Sequence, residues 1–90
     1  MPQQLRPHPD VVDTEMDEGE TVLLHLQSQT YYSLNRTGTR IWQGLKQGLS
    51  PTEISRGLQA EFAVEVEHAE RSVQALLDEL LQQALVQVQD

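Results

Sequence analysis

The three histidines have the widest chemical range of any side chains in this chain, but their spacing does not assemble a site. His8 lies in a proline-rich segment, His25 in an alternating apolar segment and His68 at the start of a helical pattern. None lies one helical turn from another, and no clustered acid completes a set of metal ligands. Because the sequence has no Cys, thiolate metal sites and cysteine nucleophiles are excluded. The sequence therefore predicts no metal centre.

The serines, acids and glycines also lack the patterns of catalysis. Ser50 is explained as a helix cap, and no serine lies in the strand-to-helix turn that exposes a nucleophile. Asp17, Glu18 and Glu20 flank a turn, where solvent suits them. The glycines form no phosphate-binding loop, and 90 residues hardly enclose a pocket for paired catalytic carboxylates. We therefore expect a protein that is not an enzyme and uses no cofactor.

The first half of the chain predicts an antiparallel meander of three strands. Val11–Met16 is the first candidate and ends in an acidic turn, while Glu20–Leu26 alternates with the period of two expected of a strand. Thr30–Leu34 follows after a polar turn and is rich in aromatic and hydroxyl residues. The close spacing of the three segments favours the meander.

Three helices are predicted to follow the strands. Asn35 is a good N-cap for the first helix, and Gly48 is placed to end it. The second begins at Ser50-Pro51-Thr52-Glu53, which combines a capping Ser, Pro at the first helical position and Glu at the third. The third is expected from about Glu67 to Leu85, and Val86–Val88 forms a short terminal strand.

Composition and charge restrict the class of protein. Residues 11–88 are expected to form one domain, and the proline-rich residues 1–10 a flexible arm that sustains neither helix nor sheet. No apolar run reaches the ~20 residues that span a bilayer, so a cytoplasmic protein without membrane contact is the simplest interpretation. The net charge of −8 makes a phosphate backbone a poor partner.

The second and third helices, joined by a short turn beside a small sheet, predict an α+β fold of the winged helix-turn-helix type. Many such folds bind DNA through the last helix. Here that helix carries Glu67, Glu70, Asp78 and Glu79 against a single Arg71. A groove-reading helix needs basic and amide side chains, so nucleic acid is not an expected partner. A winged-helix transcription factor remains the main rival class.

The apolar face of the third helix is wider than the ~100° stripe that one core requires. Around the helix it extends from Leu76 on one side of Val73 to Leu81 and Leu85 on the other. The extra width either packs on the sheet as well as on the other helices, or lines an exposed groove on the Leu77–Leu81 side. Both interpretations stay open at this point.

The strand Thr30–Leu34 would end the meander with one open edge. Tyr31 and Ser33 would point to one face of the sheet, and Tyr32 and Leu34 to the other. An open edge is a template for an incoming extended peptide, which gains affinity from backbone hydrogen bonds. The same edge could instead pair with another protein or a second copy of the chain, as in a structural or regulatory subunit.

Several of these segments resemble the pyrroloquinoline quinone biosynthesis protein D family. The similarity lies in Val22-Leu23-Leu24, in Tyr31-Tyr32-x-Leu34-Asn35-x-Thr37-Gly38-x-x-Ile41-Trp42, in the Ser50–Ile54 helix start and in the Leu-rich third helix. It covers roughly residues 11–88. It implies a stand-alone element that binds the leader of a ribosomally made precursor peptide between the third strand and the third helix, without catalysis.

The resemblance also implies site residues and partners. The leader would be presented to modifying enzymes, which are a leader peptidase and a cyclase in a lasso-peptide pathway. The acidic, Gln-rich flanks favour that pathway over a peptide chaperone for the cofactor. The predicted peptide-binding residues come from the open strand and from the third helix. They are Thr30, Tyr31, Tyr32, Ser33, Leu34, Val73, Gln74, Leu77, Asp78 and Leu81.

Overall fold

The computed structural model describes residues 4–89 and confirms an α+β protein with three helices and a three-stranded antiparallel sheet. A short 3₁₀ helix, Asp17–Gly19, joins the first two strands of that sheet. The strands are β1 (Gln4–Pro7), β2 (Val11–Glu15), β3 (Thr21–His25), β4 (Thr30–Leu34) and β5 (Val86–Gln89). The helices are α1 (Arg36–Lys46), α2 (Pro51–Phe62) and α3 (Val66–Gln82).

The sheet β2-β3-β4 is the predicted meander, with β3 at the centre and β4 at one edge. Asp13 pairs with Leu23, and Leu23 with Tyr32, so these three side chains point to the same face. That face packs towards the helices, because Leu23 is fully buried. The opposite face carries Val12, Leu24 and Tyr31 in one row.

Local capping signals place the first two helices as predicted. The Asn35 side chain accepts a hydrogen bond from the Gly38 N–H at 2.8 Å, which caps α1. Gly48 follows α1 with φ of +82°, a left-handed conformation that costs glycine little. At α2, Ser50 and Glu53 bond reciprocally as a capping box, with Pro51 as the first helical residue.

The third helix begins and ends earlier than the sequence indicates. It begins at Val66 and ends at Gln82, whereas the apolar pattern extends to Leu85. Ala84 has φ of +57°, and the Leu85 N–H bonds to the Leu80 carbonyl, which turns the chain out of the helix. Leu85 is fully buried after this turn, so its apolar character reflects the core rather than a continued helix.

The core lies between the inner face of the sheet and the three helices, and a polar bond ties its largest side chain to β2. Trp42 is 2 % exposed, and its indole N–H donates to the Asp13 carboxylate at 2.7 Å. Lys46 Nζ approaches the same carboxylate at 2.7 Å. The hydrogen bond from Lys46 is the main cause that lowers the pKa of Asp13 below its ordinary value.

The prediction that the proline-rich segment sustains no sheet is wrong for residues 4–7. They form β1, which pairs antiparallel with β5 in a separate two-stranded sheet. Pro7 is the last residue of β1, a position at the end of an edge strand where the missing N–H is tolerated. The terminal strand β5 was predicted, but its partner could not be inferred from local pattern. None of the described helices is long and apolar enough to cross a membrane.

Candidate functional site

The open edge of β4 presents backbone hydrogen-bonding groups. The Leu26 N–H bonds to the Asp10 carbonyl and the Met16 N–H to the Glu20 carbonyl, at the two ends of the β2–β3 ladder. Along an antiparallel ladder, residue pairs that exchange backbone hydrogen bonds alternate with pairs that do not. The N–H and C=O groups of β3 residues 22 and 24 therefore point to β2, and those of residues 21, 23 and 25 point to β4. By the same alternation, the N–H and C=O groups of Tyr31 and Ser33 point away from the sheet.

A groove of about 420 Å³ lies beside the end of β4. The first turn of α1 forms one wall, the end of α2 forms the floor with Leu58 and Phe62, and one side of α3 forms the other wall. Most of its lining is apolar, and the titratable side chains among its lining residues are His68 and Glu79. The α3 wall consists of His68, Ala69, Ser72, Ala75, Leu76 and Glu79.

Tyr32 and Glu79 connect the strand to this wall of the groove. Tyr32 is half-buried on the inner face of β4, and Glu79 is exposed on α3. Burial raises the pKa of the Tyr32 hydroxyl, and the Glu79 carboxylate raises it further through its charge and a hydrogen bond. The phenol therefore stays protonated and can donate to the carboxylate. We call the open edge of β4 with Leu76 and Glu79 of α3 the β4–α3 cleft.

The strand residues predicted for the site lie on two faces of β4. Tyr31 is 70 % exposed and Ser33 is also exposed, both on the outer face. Thr30 and Tyr32 are half-buried on the inner face, as the predicted alternation requires. Leu34 is 3 % exposed and packs in the core, so its side chain does not line the surface that was predicted for it.

The α3 residues predicted for the site lie elsewhere. Val73 and Leu77 are 1 % and 2 % exposed, so their side chains fill the core of this structure, and their role in peptide binding stays a prediction. Gln74 donates to Asp78 at 2.8 Å in an exposed pair. At about 100° per residue, this pair and Leu81 lie about 100° or more around the helix from Glu79. They are not among the residues that line the groove.

The wide apolar face of α3 thus has two parts. Its centre packs in the core, and one edge lines a groove, on the side of the helix opposite to the predicted one. The interpretation as core holds for Leu77, whereas the groove lies on the Leu76 edge. Leu76, Ser72 and Glu79 recur at spacings of three and four residues, which was the available signal for this edge. The cap residues Asn35 and Gly38 also line the groove, in addition to the structural roles predicted for them.

The histidines do not assemble into a metal centre within residues 4–89. His25 is 4 % exposed, and its ring centroid lies 4.6 Å from that of His8. His8 accepts a hydrogen bond from the Asp10 N–H at 3.0 Å, and His25 accepts one from the Gln27 N–H at 3.3 Å. In this part of the chain, no group of three His, Asp or Glu residues could hold a metal ion.

Two solved structures are similar to this chain over most of its length. One is TbiB1 in complex with the TbiA(beta) leader peptide, with 36 % identity and a TM-score of 0.85, covering 91 % of this chain and 94 % of that chain. The other is lasso peptide synthetase B1 complexed with the leader peptide, with 33 % identity and a TM-score of 0.84, covering 93 % and 98 %.

A search of curated proteins gives no match. A family model, in contrast, matches residues 20–86, which include β3, β4, all three helices and the first residue of β5. That match contains the β4–α3 cleft and the caps that fix it. The model is that of coenzyme PQQ synthesis protein D, and the chain therefore belongs to the PqqD family.

Proposed function

We propose that this protein is a non-catalytic adaptor that binds the leader segment of a ribosomally synthesised precursor peptide. The leader adds as a strand to the open edge of β4, and its inward side chains contact α3 across the β4–α3 cleft. The protein then presents the leader to a processing enzyme, a leader peptidase or a cyclase in a lasso-type pathway. A cytoplasmic location fits this role.

The observation that carries the proposal is the open edge of β4 beside an apolar groove. Tyr31 and Ser33 direct two N–H and C=O pairs away from the sheet, and an extended peptide satisfies such groups with its own backbone. Every second side chain of that peptide then points towards α3, where Leu76 and the groove offer apolar contact. The two similar structures, both bound to leader peptides, support this choice of ligand.

Presentation to an enzyme needs a second surface, and the outer face of the sheet provides one. The outward positions of the three strands, Val12, Thr14, Val22, Leu24, Tyr31 and Ser33, carry no charge. Val12 and Tyr31 are 44 % and 70 % exposed. A leader docked on β4 would extend this face by one strand, so an enzyme that contacts the face also reaches the leader.

A winged helix-turn-helix arrangement, with α2 and α3 as the two helices, is part of this proposal. Ala63 adopts a left-handed conformation with φ of +54° and turns the chain from α2 into α3 after a connection of three residues, 63–65. We assign the arrangement to peptide capture because α3 carries one base, Arg71, among several acids. Binding to duplex DNA that weakens steeply with salt would favour the rival transcription-factor function.

An anisotropy titration combined with NMR tests the proposal. The probe is a fluorescein-labelled leader peptide of the precursor encoded beside this gene. We expect saturable binding, weakened about tenfold or more by Tyr32→Ala, which removes the half-buried ring at the cleft. In ¹⁵N-labelled protein, the amide hydrogens of Tyr31 and Ser33 are expected to become protected from exchange when the leader binds.

Two results would contradict the proposal. One is a leader that shows no saturable binding to the wild-type protein at micromolar concentrations. The other is binding that leaves the Tyr31 and Ser33 amides unprotected and is unaffected by Tyr32→Ala. A leader peptide of the pyrroloquinoline quinone precursor, titrated in parallel, distinguishes the lasso-type pathway from the alternative role as a peptide chaperone for the cofactor.

A further inference from the structure

Glu79 is the charged side chain of the β4–α3 cleft, and it forms no ion pair with any residue of the described part of the chain. The two ion pairs among residues 4–89, Arg40–Glu61 and Lys46–Asp13, do not involve it. The single base of α3, Arg71, is exposed and lies about two turns away, where its Nε contacts the Glu67 carbonyl at 3.4 Å. Glu79 thus adds a carboxylate without an ion-pair partner to the lining of the groove.

We propose that Glu79 selects a Lys or Arg side chain at the position where the bound peptide passes between β4 and α3. This inference rests on the proposed function and specifies the chemistry of the peptide. Glu79 is the only acidic side chain of the α3 wall, which contains no Lys or Arg. A basic residue of the peptide therefore meets one fixed opposite charge, and an acidic residue meets a like charge.

The surroundings of Glu79 leave it free to accept such a partner. A carboxylate has two oxygens with about four acceptor positions, and a hydrogen bond from the Tyr32 hydroxyl would occupy only one of them. The remaining positions can accept an ammonium, or a guanidinium in bidentate geometry. The Tyr32 ring on the opposite side of the cleft offers an additional cation–π contact. The net charge of −8 also attracts a basic peptide before it docks.

A double-mutant cycle tests the inference. The protein variants are Glu79→Gln, which keeps an acceptor for Tyr32, and the matched control Glu70→Gln, an exposed acid of α3 outside the groove. The probes are the labelled leader peptide and versions of it in which each Lys or Arg is replaced by Gln. We expect Glu79→Gln to weaken the unmodified leader by about threefold to tenfold at low salt, and less at high salt. Glu70→Gln is expected to leave the affinity unchanged.

The cycle also identifies the peptide position. One substituted leader is expected to bind wild type and Glu79→Gln with equal affinity, which marks the basic residue that Glu79 contacts. A leader that binds saturably without any Lys or Arg would overturn the inference and leave the proposed function intact. Equal weakening of every leader version by Glu79→Gln would overturn it too, because that result indicates a structural effect. Failure of wild type to bind any leader contradicts the proposed function itself.

Discussion

The two edges of the three-stranded sheet, β2 and β4, have the same length and pair with the same central strand, yet their chemistry differs. The inner face of β2 carries Asp13 and Glu15, which bond to side chains of α1. The corresponding positions of β4 are Tyr32 and Leu34, with Thr30 before them, and no residue of β4 is charged. One edge is thus acidic and tied to a helix, and the other is neutral and ends beside a groove.

Acidic side chains that point inwards along an edge strand are a known means of discouraging edge-to-edge pairing. On β2 they also serve the core, because Asp13 satisfies the buried indole N–H of Trp42. On β4 the same protection is missing, and an uncharged edge of this kind is an aggregation hazard unless it has a partner. We therefore infer that the edge of β4 is open and uncharged because a partner strand pairs with it.

The largest expected effect tests the α3 residues behind the β4 edge. Leu77→Asp places a carboxylate in a site that is 2 % exposed, which we expect to cost at least about 3 kcal/mol in the free energy of unfolding. Leu81→Asp makes the same change at a position that is 39 % exposed, with an expected cost of about 1 kcal/mol or less. Urea denaturation followed by circular dichroism measures both values, and similar losses would contradict the assignment of Leu77 to the core.

This pair of leucines also shows how far the sequence could predict the site. Alternation and capping residues predicted all three strands of the meander and both N-caps at Asn35 and Ser50, because these signals are local. The side of α3 that faces β4 depends on how the helix is rotated against the sheet. Both edges of the apolar face contain leucines, so periodicity alone could not distinguish Leu76 from Leu81. The β1–β5 pairing could not be predicted either, because it joins two segments that lie far apart in the sequence and carry no local signal for each other.

A pair of proline substitutions compares the two edges directly. Ser33 on β4 and Thr14 on β2 flank the same residue of β3, Val22. Because the Ser33 N–H points to the open edge, Ser33→Pro is expected to weaken leader binding about tenfold while the free energy of unfolding changes by about 1 kcal/mol or less. Thr14→Pro removes an N–H that faces Val22, and we expect it to cost about 1–3 kcal/mol in stability.

Anisotropy titration and urea denaturation of both proline variants measure the two effects separately. The affinity of Thr14→Pro for the leader is expected to stay within about twofold of wild type under conditions where the variant is folded. A loss of affinity in both variants, or in Thr14→Pro alone, would mean that the leader does not dock on the β4 edge. It would also remove the proposed distinction between the two edges.

The smallest effect concerns the acidic edge and its dependence on pH. The pKa of Asp13 is lowered from 3.8 in the fold, chiefly by the hydrogen bond from Lys46, so its contribution to stability is present above that value and is lost as the pH falls through the lowered pKa. Lys46 is half-exposed, so the contribution is expected to be about 1 kcal/mol or less.

Asp13→Asn keeps an acceptor for Trp42 but removes the charge. Its urea midpoint should therefore fall less than that of wild type between about pH 5 and about pH 3. Asp17→Asn, at an exposed position of the 3₁₀ helix, is the matched control and should follow wild type. If Asp13→Asn also follows wild type, the charge of Asp13 does not stabilise its contact with α1. The acidic side chains of β2 would then serve only to prevent edge-to-edge pairing.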